Sequence, residues 1–196
     1  MAAGLDHGRP PGLSRMFKNR ARGPGQARPM STDTDTLAAT GEHTTAGLPH
    51  VRTSLSPHLV ASPAREAIEL YCAAFGARSV SVTGMGELIA HAELELARGR
   101  FTVSDPMPGY GLVAAEPGDH PVGMSLAVYV PDVDAAVRVL ADAGGTVREQ
   151  PTNFVSGDRF ASVVDPYGIR WSVMCRVEDL SPEQSDARVA RWARSQ

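Results

Sequence analysis

His58, His91 and Glu93 are the side chains of this 196-residue chain whose types and spacing bring chemistry within reach. In the run Leu88 to Leu96, His91, Glu93 and Glu95 alternate with Ala90, Ala92, Leu94 and Leu96. A strand has a side-chain period of two, so the polar trio shares one face and the apolar set packs beneath a helix. His58 lies in a second extended run, Ser56 to Ser62, where it points the same way as Ser56. If these faces look into one cup, His58, His91 and Glu93 converge. They would then form a divalent-metal site or an acid–base pair in which a carboxylate orients an imidazole. The plainer reading is that they form the wet side of a sheet, facing solvent or a second chain.

The elements that must position them occur twice. Ser56–Ser62 is followed by Ser62-Pro63, an N-cap residue and a proline at the first helical position. The spacing predicts a helix from Pro63 to Phe75, with Ile68, Tyr71 and Phe75 on its buried face and Gly76 as a left-handed cap. Strands are predicted over Arg78 to Thr83, Leu88 to Leu96 and Arg100 to Ser104. In the second copy, Met124 to Val130 reads as a strand and Asp132 caps a helix whose face is Val133, Val137 and Leu140. Gly144-Gly145 ends that helix, and strands follow over Thr146 to Glu149, Phe160 to Val164 and Ile169 to Cys175. Asp165-Pro166-Tyr167-Gly168 reads as the turn between the last two.

Two β-α-β-β-β units resemble the glyoxalase/bleomycin-resistance/dioxygenase proteins, the vicinal oxygen chelate superfamily. The resemblance runs from Ser56 to about Arg194 and is carried by Ile89-Ala90-His91-Ala92-Glu93-Leu94, Ser104-Asp105-Pro106-Met107-Pro108, Val130-Pro131-Asp132-Val133-Asp134-Ala135, Gly157-Asp158-Arg159-Phe160 and Asp165 to Ser172. Within the superfamily these stretches, with Val177 to Glu183, look like the glyoxalase-like branch labelled demethylubiquinone-methyltransferase-like. The resemblance implies an α+β fold of two tandem βαβββ modules forming a curved mixed sheet, and a homodimer, because such modules complete their cups by pairing. It also implies a small-molecule ligand.

Enzymes of the superfamily hold a divalent metal with His and Glu from the first and last strand of each module. The matching positions here read Ser56, Val103, Ser125 and Ser172. Neutral hydroxyls and a valine cannot replace imidazole or carboxylate on zinc, nickel or iron. The resemblance therefore implies a drug-binding or resistance-like protein with no cofactor, and metal-dependent glyoxalase I activity is disfavoured. Its expected ligand contacts are His58, Tyr110, Tyr129, Ser125 and Ser172. The alternative is a glyoxalase-like lyase, isomerase or dioxygenase using a relocated divalent metal or an acid–base pair at His58, His91 and Glu93. A structural or regulatory dimer without a ligand is a third class.

Composition narrows the partners. Residues 1–50 are Gly-, Pro-, Ser- and Thr-rich, without periodicity, and are expected to be a disordered leader. The main domain is expected over residues 51–180, with modules at 56–105 and 123–176 joined by a linker or lid at 106–121 that carries Tyr110, and a helix over 181–196. From Val51 onward the chain carries 13 arginines, no lysine and 18 acidic residues, a formal charge of −5 that should repel nucleic acid. No apolar run approaches the roughly 18 residues of a membrane span, so a cytoplasmic protein is expected. Cys72 and Cys175 are expected as buried reduced thiols. Gly157-Asp158-Arg159 reads as a structural turn. Ser181-Pro182-Glu183-Gln184 is a capping box ahead of a stripe of Arg188, Arg191 and Arg194.

Overall fold

The computed structural model describes residues 38–50, 55–118 and 120–196. Most of the expected leader lies outside the described residues. Its last part is a hairpin rather than disorder: β1 (Thr44–Thr45) pairs antiparallel with β2 (Leu48–Pro49). Ala46 and Gly47, at φ 47° and 80°, supply the two positive-φ positions that a two-residue hairpin turn needs. His50 ties the hairpin to Thr45 and to the Glu42 carbonyl.

The first module runs β3 (His58–Val60), α1 (Ala64–Phe75), β4 (Arg78–Met85), β5 (Leu88–Leu96) and β6 (Gly99–Ser104). Helix α1 ends as expected, with Gly76 at φ 66° and its N–H on the Cys72 carbonyl. Its start differs. Pro63, in extended conformation, occupies the N-cap itself, which leaves Ser62 a residue too far back to reach the free amides. The Ala64 N–H instead donates to Asp105 Oδ1 at 3.0 Å, while Asp105 Oδ2 accepts from the Ile89 N–H at 2.7 Å. One buried carboxylate thus ties the helix start to two strands.

The second module runs β7 (Leu126–Tyr129), α2 (Val133–Asp142), β8 (Thr146–Asn153), β9 (Asp158–Val164) and β10 (Arg170–Arg176), followed by α3 (Pro182–Ala193). Asp132 caps α2 through the Ala135 N–H at 2.9 Å, and the Ser181–Gln184 capping box starts α3. Strand β8 is longer than the sequence suggests because Pro151 lies on an edge strand at a register shift, where a missing N–H is tolerated.

Each module folds into a four-stranded mixed sheet, ordered β3-β6-β5-β4 and β7-β10-β9-β8. The first strand of each lies parallel to the last, and the other pairs are antiparallel. The apolar faces share one core that holds Leu59, Leu94, Phe101 and Val103 from the first sheet with Val128, Val163, Trp171 and Val173 from the second. Between them α1 packs on α2. Tyr71 of α1 sits edge-on to Phe101 and to Trp171, at centroid distances of 5.7 and 5.3 Å. The Asp165 carboxylate, buried beside them, accepts from Tyr71 Oη, Trp171 Nε1 and the N–H groups of Tyr167 and Ile169. Burial raises its pKa and these four donors oppose the rise, with burial the larger effect. Cys72 and Cys175 are free thiols, half-buried rather than fully buried.

Candidate functional site

Because the apolar faces meet in one core, the opposite faces of both sheets turn outward. On the first sheet, β3 pairs His58 with Thr102 and Val60 with Ser104, and β5 pairs Glu93 with Thr102. The outward face therefore carries His58, His91, Glu93, Glu95, Arg100, Thr102 and Ser104.

His58 and His91 lie nearly parallel, with ring centroids 6.3 Å apart. Both ring nitrogens of His58 meet hydroxyls, Nδ1 with Thr102 Oγ1 at 2.7 Å and Nε2 with Ser104 Oγ at 3.2 Å. Ser104 Oγ also donates to the Asp105 carbonyl at 3.0 Å, and Thr102 Oγ1 to the Pro57 carbonyl at 3.4 Å. Partial burial first and the neighbouring His91 second hold the His58 pKa below the ordinary value, which favours the neutral imidazole.

Glu93 pairs with an arginine of the next strand. It is 3% exposed, and its carboxylate accepts from Arg100 Nη1 at 2.7 Å while Arg100 Nη2 reaches Glu95 at 2.6 Å. Arg78 also pairs with Glu95. Hydrogen bonds from Arg100 first and Arg78 second hold the Glu95 carboxyl below the usual range. The structure thus brings His58 and His91 together and commits Glu93 to a charge ladder.

Val103, expected at a ligand-facing position, is corrected: it is buried in the core among helix-packed side chains. The outward residues of β6 are its neighbours Thr102 and Ser104, because a slip of one residue reverses the face. These two hydroxyls are the site residues that the sequence reading missed. The alternation around apolar Phe101 and Val103 was the signal that marks them.

On the second sheet, Ser172 pairs with Ala127 and Ser162, and Met174 pairs with Tyr129 and Phe160. Ser125 is exposed just before β7, and Tyr129 is 57% exposed. The Tyr129 hydroxyl lies 3.4 Å from Asp158, which also accepts from Ser156 at 2.7 Å and pairs with Arg176 at 3.0 Å. Arg159 grips Asp134 through Nε and Nη2 at 2.6 and 2.7 Å. Gly157, at φ 85°, leaves no room for a Cβ, which would stand 2.7 Å from Leu180 Cδ1. The Gly157-Asp158-Arg159 turn is accordingly structural.

The expected ligand set is divided in three. His58 stands on the first sheet, Ser125, Tyr129 and Ser172 on the second, and Tyr110 in the linker's 3₁₀ turn Pro108–Tyr110, where it is 80% exposed. The polar contacts above stay within one sheet. Tyr129 also borders an apolar groove of about 810 Å³ between the end of α1 and the β7–α2 segment, walled by Ala74, Leu96, Ala127, Ala136 and Val139. Among the described residues no three His, Cys, Asp or Glu side chains converge to hold a metal ion. The outward hydroxyls of Thr102, Ser104 and Ser172 are neutral donors that do not fit the divalent metal of the superfamily's enzymes.

The sequence model of the Glyoxalase/Bleomycin resistance protein/Dioxygenase superfamily matches residues 47–173. The uncharacterized protein Mb0911c of Mycobacterium bovis is 32% identical over 146 residues, which cover 72% of this chain and 95% of that protein. Protein PA1353 of Pseudomonas aeruginosa shares the fold at TM-score 0.52 and 22% identity, over 63% of this chain and 98% of its own. The PhnB protein of Bacillus cereus is similar at TM-score 0.49 and 21% identity, over 63% and 99% of the two chains. This chain belongs to the glyoxalase/bleomycin resistance protein/dioxygenase superfamily.

Proposed function

We propose that this protein binds a small molecule, without the metal of the superfamily's enzymes, in a cup made when the outward face of its first module pairs with the outward face of a second chain's second module. The observation that carries this reading is that each sheet turns a face of hydrogen-bonding and aromatic side chains away from the shared core, reaching solvent at His58 on the first sheet and at Ser125 and Tyr129 on the second, with Thr102 and Ser104 buried beneath His58. His58, His91, Thr102 and Ser104 form one wall, and Ser125, Tyr129 and Ser172 the other. The apolar groove beside Tyr129 has the volume of ordinary ligand sites.

A second reading, acid–base catalysis of the lyase or isomerase type, rests on one observation. His58 lies on the outward face beside His91, with ring centroids 6.3 Å apart, and its lowered pKa keeps the imidazole neutral, the form a general base needs.

A thermal-shift screen with small cationic and aromatic compounds tests the binding reading. A hit that raises Tm and loses its effect in His58→Ala and in Tyr129→Ala supports it. A hit indifferent to both substitutions contradicts the site. Metal analysis of protein purified without tag or chelator separates the readings further. A stoichiometric metal lost in His58→Ala and His91→Ala would replace metal-free binding with a metalloenzyme.

A further inference from the structure

Helix α3 presents the wrong chemistry for a packing face. Arg188, Arg191 and Trp192 follow one another at i, i+3 and i+4 on one stripe of the helix, and together with Val155 and with Ser195, whose hydroxyl donates to the Trp192 carbonyl at 2.7 Å in the turn beyond, they line a hollow of about 490 Å³. Such a stripe is ordinarily apolar where a helix lies on its domain. Here the helix is pinned on either side of the hollow. The Ser185 hydroxyl donates to the Ser156 carbonyl at 2.9 Å, and the Trp192 ring meets Phe154 edge-on at 5.1 Å. Trp192 lines the hollow and remains 40% exposed, with Phe154 bracing its ring from outside the lining. Arg188 reaches the Glu178 carboxylate at 2.8 Å, whereas Arg191 has no carboxylate within ion-pair reach among the described residues. Arg194, expected on the same stripe, does not line the hollow. Complementing the helix dipole explains cations at a helix end, but it does not explain an exposed indole beside them.

We propose that this hollow is a second binding site, separate from both sheet faces, for a planar aromatic compound bearing an anionic group. The ring lies against Trp192, and the carboxylate, sulfonate or phosphate is held by Arg191 with help from Arg188.

The chain has two tryptophans, and Trp171 is buried in the core, so the indole N–H signals of ¹⁵N-labelled protein report this site selectively. Trp192→Phe assigns the signals, and phenyl phosphate is the probe. The expected result is a saturable shift of the Trp192 signal alone, weakened about tenfold in Arg191→Ala and less in Arg191→Lys. Inorganic phosphate and benzyl alcohol, each carrying half of the recognised chemistry, should bind at least about tenfold more weakly. No saturable shift up to about 10 mM, an unchanged affinity in Arg191→Ala with its amide spectrum intact, or equal binding of inorganic phosphate would overturn the proposal.

Discussion

His58 is held at both ring nitrogens by hydroxyls of the neighbouring strand, which fix the ring, while burial and His91 favour its neutral form. The folded pKa is lowered, so the unfolded chain takes up a proton at higher pH than the folded one. The stability this gives is present above the ordinary histidine value of 6.5 and is lost as pH falls below it. His58→Gln should therefore flatten the fall in the urea midpoint between about pH 7 and about pH 5.5, and an unchanged pH profile would contradict the assignment. Thr102→Val removes the contact at Nδ1 and should lower ligand affinity while leaving Tm nearly unchanged. Val103→Ser should do the opposite, costing about 2 kcal/mol through a polar group and a void in the core with affinity intact. Asp165 concentrates the largest cost in one side chain. Asp165→Ala strands four donors, two of them in buried contacts, and should cost about 3 kcal/mol or more, seen as a Tm fall of roughly 6–12 °C.

At the scale of elements, the helix caps and turns hold the outward faces in place. Gly168 closes the turn before β10 at φ 81°, and a Cβ there would stand 2.6 Å from the Glu116 carbonyl oxygen of the linker. Gly168→Ala should cost about 2 kcal/mol or more by equilibrium unfolding, from backbone strain plus displacement of the linker. Asp105→Ala should cost about 2 kcal/mol, since it frees the first amide of α1 and the amide of Ile89 together. Much of this scaffold was legible in sequence. The i, i+3, i+7 face of α1, the Asp132 cap and the alternation over Leu88–Leu96 are local patterns, and local patterns survive folding. What was not legible depended on register. Asp105 caps a helix 41 positions before it, Arg100 claims Glu93 across a strand pair, and Val103 turns inward by a slip of one residue. No spacing along the chain encodes a partner chosen across a sheet.

At the scale of the whole molecule, the proposed pairing predicts a dimer in solution. Thr83→Arg, exposed on edge strand β4 and opposite His91 on the outward face, should shift sedimentation toward a single chain while α-helical circular dichroism is kept. The same arrangement places His58 and Tyr129 of one cup on different chains. The most direct test is complementation by mixing: His58→Ala and Tyr129→Ala proteins, each inactive toward a ligand found by the thermal screen, are exchanged to equilibrium and titrated by calorimetry. The account predicts that mixing restores binding at about a quarter of the wild-type number of sites, because half of the mixed dimers are hybrids and each hybrid holds one intact cup. No recovery from demonstrably hybrid dimers would contradict a cup shared between two chains.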